Sequence, residues 1–286
     1  MLAYGGAVTL NNLIVYVAYN IDKVFIGRFW GAAALGIYGR AYQLINLPTE
    51  NLNSTIGLVA FPALSRLQND PVRLRRYFLK GYSLFLSLIM PITLACALFA
   101  DDIIVVFLGP TWREAASVFR LLSPTILTFA LVHPFYWLML ASGRASRSLG
   151  IAFVVTPVLI VSYVLGLTHG PQGVAVGFSI VMVLSIVPVL LWAKHGTPIT
   201  LKDILRAVAP SSTSVIIGAG AALAARPIVD LVDPVFVRLV VEATILFGTY
   251  AFALLFVMNQ KPMYAALLRE TGLWPAGGPR TGAGGG

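Results

Sequence analysis

Between residues 148 and 193 the chain carries no Asp, Glu, Lys or Arg. A membrane-crossing helix needs about 20 mostly apolar residues. The stretch is therefore too long for one crossing and too apolar for a surface in water. The sequence THGPQG at 168–173 is dense in turn formers, and it divides the stretch into two spans. The same criterion finds six more, at roughly 3–22, 34–63, 81–108, 115–141, 206–225 and 236–258. The expected fold is all-α and integral to a membrane, with about eight transmembrane helices.

Composition supports that class. Charged residues make up 11% of the 286, against about 25% in soluble domains. Hydrophobic residues make up 58%, and the mean hydropathy is +0.85. Barrel strands would alternate polar and apolar positions, which this chain does not do. The net charge of +9 fits basic cytoplasmic loops, so no nucleic-acid partner is expected. The single Cys96 lies in an apolar run, which leaves no disulfide framework and no metal cluster. A Walker loop, a GxGxxG opening a helix after a strand, HExxH and GxSxG are all missing. The chain is read as a non-enzyme without a cofactor. Its first residues show neither a basic n-region nor a small-residue cleavage site, and the opening is abrupt, as if within something larger.

Loop charges orient the spans. One side receives Arg66, Arg73, Arg75, Arg76, Lys80, Arg144, Arg147, Lys194, Lys202, Arg206, Lys261, Arg269 and Arg280. The other receives Lys23, Arg28, Arg40, Arg113, Arg226 and Arg238. The richer side is cytoplasmic by the positive-inside rule, which puts both termini and a loop at 64–80 in the cytoplasm. Prolines at 48, 62, 91, 124, 134, 157, 188 and 210 suit kinked helices around a cavity. Gly218 with Ala222, or Ala221 with Ala225, would let helices approach closely.

The most polar part of the chain runs from Ile21 to Pro71, yet its polar residues keep helical spacing. Arg40, Gln43, Asn46, Glu50, Asn53 and Gly57 recur at intervals of three and four, on one helix face. Asn12, Tyr16, Tyr19 and Lys23 do the same in the first span, with Asp22 beside them. A buried ion on a membrane helix costs about 2.5–3.5 kcal/mol on insertion scales. Such stripes should face protein or water, and a water-filled cavity is the expectation. Arg120, inside the fourth span, is a further candidate for it. His133 reads as a packing residue, Asp101 and Asp102 as solvated helix-end residues, and Trp112, Trp137 and Trp192 as interface anchors.

Three segments in order, DKVFIGRFWGAAALGIYGRAYQLINLP (22–48), VAFPALSRLQNDPVRLRRYF (59–78) and IIVVFLGPTWREAASVFRLLSP (103–124), resemble the bacterial lipid-linked oligosaccharide and polysaccharide flippases. These belong to the multidrug/oligosaccharidyl-lipid/polysaccharide exporter superfamily. The likeness covers about residues 5–195. It implies a bundle of 12 to 14 helices in two lobes. The lobes rock about a cationic cavity to carry an undecaprenyl-pyrophosphate-linked glycan across the bacterial inner membrane. This chain would supply the six-helix second lobe (1–195), two additional helices (196–260) and a largely disordered cytoplasmic tail (261–286), as a fragment of a longer exporter. Implied partners are the lipid-linked oligosaccharide, membrane lipids, and glycan polymerase and glycosyltransferases. Lys23, Arg28, Arg40 and Arg120 would meet the pyrophosphate or an acidic sugar, with Gln43, Asn46 and Asn53 beside them. Tyr16, Tyr19, Tyr38 and Tyr42 would stack on sugar rings, and Asp22 or Glu50 would couple ions. The alternatives are a cation or drug antiporter of the same superfamily, which would want an acidic cavity, and a membrane-embedded polysaccharide polymerase, which would want a large outer loop.

Overall fold

A computed structural model describes the backbone of residues 2–262 and 264, and their side chains except at 2–4 and 51–55. The tail expected to be disordered lies outside the described residues from 265 onward. Of the structure, 89% is helical and no strand occurs among the described residues. The helices are α1 (Leu2–Ala18), α2 (Ile21–Arg66), α3 (Pro71–Leu98), α4 (Ala100–Leu108), α5 (Ala115–Leu122), α6 (Pro124–Ala141), α7 (Ala145–Gly166), α8 (Gly170–Lys194), α9 (Leu201–Val229) and α10 (Val235–Phe252). A π-turn, Ala253–Val257, extends α10.

Among the described residues, five stretches are long and apolar enough to cross a membrane by length and composition: Pro71–Leu98, Ala115–Ala141, Ala145–Lys194, Leu201–Val229 and Val235–Val257. The third of these is α7 and α8 folded back at Leu167–His169. Close backbone packing holds that hairpin: a Cβ on Gly173 would lie 2.2 Å from the carbonyl oxygen of Gly166, and one on Gly177 2.7 Å from that of Ser162. Only glycine permits this approach. The expected spacing of small residues at Gly218 and Ala222 packs α9 on α10, where Gly218 faces Leu246 and Tyr250. Contacts closer still occur at Gly166, Gly173 and Gly177.

α1 and α2 form the remaining two legs. α2 reverses at Gly31, whose φ is 81°. Glycine reaches that region without the steric cost other residues meet there. Residues 21–30 continue α1, and residues 32–66 return beside them. The two legs are joined by the Tyr38 hydroxyl, which donates to Asp22 Oδ2 at 2.6 Å, and by Leu35, 3.1 Å from where a Cβ on Gly27 would be. Trp30 Nε1 donates to the Leu167 carbonyl at 2.8 Å and ties the reversal to the α7–α8 turn. The first leg therefore runs to Trp30, not to residue 22. Lys23 and Arg28 lie inside a helix, not in the outer loop that their charge suggested.

The third leg also begins earlier than expected. Asp70 caps α3 by accepting from the Arg73 N–H at 3.0 Å, and Pro71 opens the helix, as both residue types favour. Residues 71–80 are helix rather than loop. α9 begins at a capping box in which Thr200 and Asp203 satisfy each other's backbone N–H. α9 and α10 pack together against α3 and α4. Trp137, expected as an interface anchor, packs on Gly57 and Phe85.

Candidate functional site

A cleft of about 770 Å³ opens between α1, both legs of α2, and α6. Its wall is made by Tyr16 and Tyr19 of α1 and its end, by Lys23, Tyr42, Asn46 and Glu50 of α2, and by Phe129 and His133 of α6. The wall follows from helix geometry. Tyr16, Tyr19 and Lys23 stand on one face of the first leg, and Tyr42, Asn46 and Glu50 on one face of the second. The reversal at Gly31 brings those faces together.

Lys23 is held firmly. Its ammonium donates to the Tyr19 carbonyl at 3.2 Å and to Asn20 Oδ1 at 3.0 Å, and it lies 4.0 Å from the centre of the Tyr42 ring. Asn46 Nδ2 donates to Glu50 Oε1 at 3.2 Å. Tyr19 is braced edge-on by Phe129 and Phe178, with ring centres 5.5 and 6.0 Å away. Tyr16 is 67% exposed and offers an open ring. Behind this wall a second, mostly apolar cavity of about 270 Å³ lies among α1, α6, α7 and α8, and Val15, Tyr19, Phe129 and His133 line both spaces.

The structure divides the residues that the sequence singled out. Tyr16, Tyr19, Lys23, Asn46 and Glu50 come together in the cleft, joined by Thr49 and by His133, which was read as packing. Arg40 and Gln43 are exposed on the same leg but bond to each other at 3.2 Å, with the Arg40 guanidinium 5.6 Å from the Trp112 ring, and they do not line the cleft. Arg28 is exposed and also stands outside it. Asn53 lies among residues whose side chains are outside the described set. Asp22 is sealed at 0% exposure against Tyr38. Tyr38 is equally sealed, and Lys23 covers the Tyr42 ring, so neither presents a free face.

Arg120 does not line this cleft. It pairs with Asp101 of α4 and donates from Nε to the Ala97 carbonyl at 3.3 Å. Asp102 is not a solvated end residue. It is 7% exposed and clasped by Arg238 of α10, whose Nε donates at 2.6 Å to one oxygen while a terminal nitrogen donates to the other. Apolar spacing along one helix carries no signal of such partners. No cluster of three metal-ligating side chains occurs among the described residues.

Residues 1–117 match the family model described as polysaccharide biosynthesis protein. The teichuronic acid biosynthesis protein TuaB of Bacillus subtilis is 29% identical over 50% of this chain and 30% of its own length. The lipopolysaccharide biosynthesis protein WzxC of Escherichia coli is 27% identical over 64% of this chain and 38% of its own. The amylovoran biosynthesis protein AmsL of Erwinia amylovora is 30% identical over 60% and 44%. The fold is similar to that of the lipid II flippase MurJ in an inward closed conformation, with a TM-score of 0.69 at 15% identity, covering 91% of this chain and 52% of that one. The chain thus matches only 30 to 44% of the length of these curated relatives. It is a multi-pass membrane protein with a flippase-like fold, a relative of bacterial polysaccharide-biosynthesis proteins.

Proposed function

We propose that this relative of the polysaccharide exporters forms the second lobe of a transporter, with α9 and α10 as an added pair. The transporter flips undecaprenyl-pyrophosphate-linked oligosaccharide across the bacterial inner membrane by alternating access. The reading includes cytoplasmic termini and cooperation with glycosyltransferases and a glycan polymerase. One observation carries it: a mostly apolar bundle holds an open cleft walled by Tyr16, Lys23, Asn46 and Glu50. Intramembrane ionisable residues that face a cavity mark substrate or ion paths. The volume falls within the roughly 300–1,000 Å³ of small-molecule sites. Of the two candidate coupling carboxylates, Glu50 faces the cleft and Asp22 does not, so ion coupling at the cleft runs through Glu50.

The test is surface polysaccharide in cells whose own gene carries Lys23→Ala or Glu50→Ala. Each should lower export by about tenfold or more, the worth of one hydrogen bond to a charged group, at an unchanged level of protein in the membrane. Normal export in both variants removes the reading.

A further inference from the structure

We infer that this wall of the cleft recognises uncharged sugar rings of the substrate and not its pyrophosphate. The inference rests on the flippase reading above and assigns a part of the substrate to the site. Formal charge is the first argument. The cleft is lined by one lysine and one glutamate, which cancel. The arginines that would make it cationic stand elsewhere: Arg120 is spent on Asp101, Arg40 lies beside Gln43 and Trp112, and Arg28 lies outside the wall. A pyrophosphate needs several cations, with arginine forks as the usual match. Here it would meet a single ammonium and a carboxylate that repels it.

The second argument is the state of that ammonium. Two of its three hydrogens already go to the Tyr19 carbonyl and Asn20, and its remaining side is shared with the Tyr42 ring. What it retains suits one neutral hydroxyl oxygen better than a dianion. Glu50 supplies the complementary chemistry. It accepts from Asn46 and keeps about three further lone-pair sites, and a carboxylate can only accept. Hydroxyl groups donate to such an acceptor, whereas a uronate carboxylate cannot.

The third argument is shape. Tyr16 presents an open ring at the rim, Tyr19 is locked in place by two aromatic neighbours, and Thr49 and His133 complete the wall. A flat apolar face beside donors and acceptors of balanced charge matches a pyranose, which has C–H faces and a hydroxyl edge.

The experiment uses the full chain in nanodiscs. It is offered oligosaccharides built only from neutral hexoses, oligosaccharides containing uronic acids, inorganic pyrophosphate, and undecaprenyl pyrophosphate. Neutral oligosaccharides should bind, with a Kd that changes less than about twofold between low and high salt, since no net charge is neutralised. Tyr16→Ala should weaken that binding about fivefold, the size of one aromatic contact. At 67% exposure Tyr16 contributes little to folding, and the variant's circular dichroism should match that of the parent. Glu50→Gln should weaken neutral-sugar binding, since a charged acceptor is lost, and gain binding of sugars with uronic acids, reversing the parent's preference. A parent chain that prefers uronic acids or inorganic pyrophosphate overturns the inference. Binding of undecaprenyl pyrophosphate without neutral sugars also overturns it but leaves the flippase reading standing. Binding of none of the four probes also overturns the inference, while the flippase reading stands or falls with the export test above.

Discussion

Two sets of charged side chains lie within this bundle, and they are held in opposite ways. On the flank formed by α3, α4, α9 and α10, each of two carboxylates meets a full partner from a distant helix. Arg238 clasps Asp102 with two nitrogens, and Arg75 clasps Asp203 at 2.9 and 2.5 Å while Thr200 donates to the same carboxylate. In the cleft, Lys23 and Glu50 have only neighbours one turn away or on the facing leg: a carbonyl, two amides and a ring. These two flank carboxylates, Asp102 and Asp203, are saturated by the fold and hold helices together, although Glu242 on α10 is buried with one oxygen unpartnered. The cleft charges keep bonding capacity in reserve. In a medium where an uncompensated ion is expensive, that reserve is the mark of a site.

The comparison can be broken most sharply at Arg238. Arg238→Ala leaves Asp102 buried without its partner and should cost about 3 kcal/mol, since breaking a buried pair costs about 3–5 kcal/mol. Thermal unfolding in detergent measures it, and Asp102→Leu combined with Arg238→Met should recover most of the loss. A single variant as stable as the parent would show that the flank pair holds nothing. Asp203→Ala comes next, at about 2 kcal/mol, because it removes a helix cap and a charged hydrogen bond together. The cap is that of α9 and the bond is the Arg75 fork. Arg75→Ala spares the cap and should cost clearly less than Asp203→Ala in the same melt, because the Arg75 side chain is already 48% exposed. Arg120→Ala should cost about 0.5 kcal/mol, because ion pairs in contact with solvent contribute little. The side chains of Arg120 and Asp101 are both about half exposed. Glu50→Ala should stay within about 0.5 kcal/mol of the parent while export falls. A large loss of stability at Glu50 would make the cleft charge structural and erase the distinction between the two regions.

Much of this architecture is legible along the chain. The eight legs follow from apolar length, the α7–α8 turn from THGPQG, and the polar faces of the first two legs from spacings of three and four. The starts of α3 and α9 are also written in the sequence, in Asp70-Pro71 and in Thr200 followed by Asp203, although the uncharged core of each span drew the expected boundary inward. The reversal at Gly31 is not legible. The chain has 26 glycines, and Gly31, flanked by Trp30 and Ala32, is not marked in the sequence as a reversal with positive φ. That single position moved Lys23 and Arg28 from an outer loop into a helix. It also placed Tyr38 over Asp22, which is sealed there.

The sequence by itself determined the class and the helical spacing of the polar residues. These depend on local quantities: the length needed to cross a bilayer and the turn of about 3.6 residues that stacks neighbours three and four apart. Only the tertiary structure decided which of those polar residues are free. Arg238 and Asp102 are 136 residues apart, and Arg75 and Asp203 are 128, so their pairing depends on which helices pack together. Arg120 looked like a cavity residue until α4 brought Asp101 to it. Lys23 and Glu50 remain available because, among the described residues, no helix carries an opposite charge to within bonding distance of them.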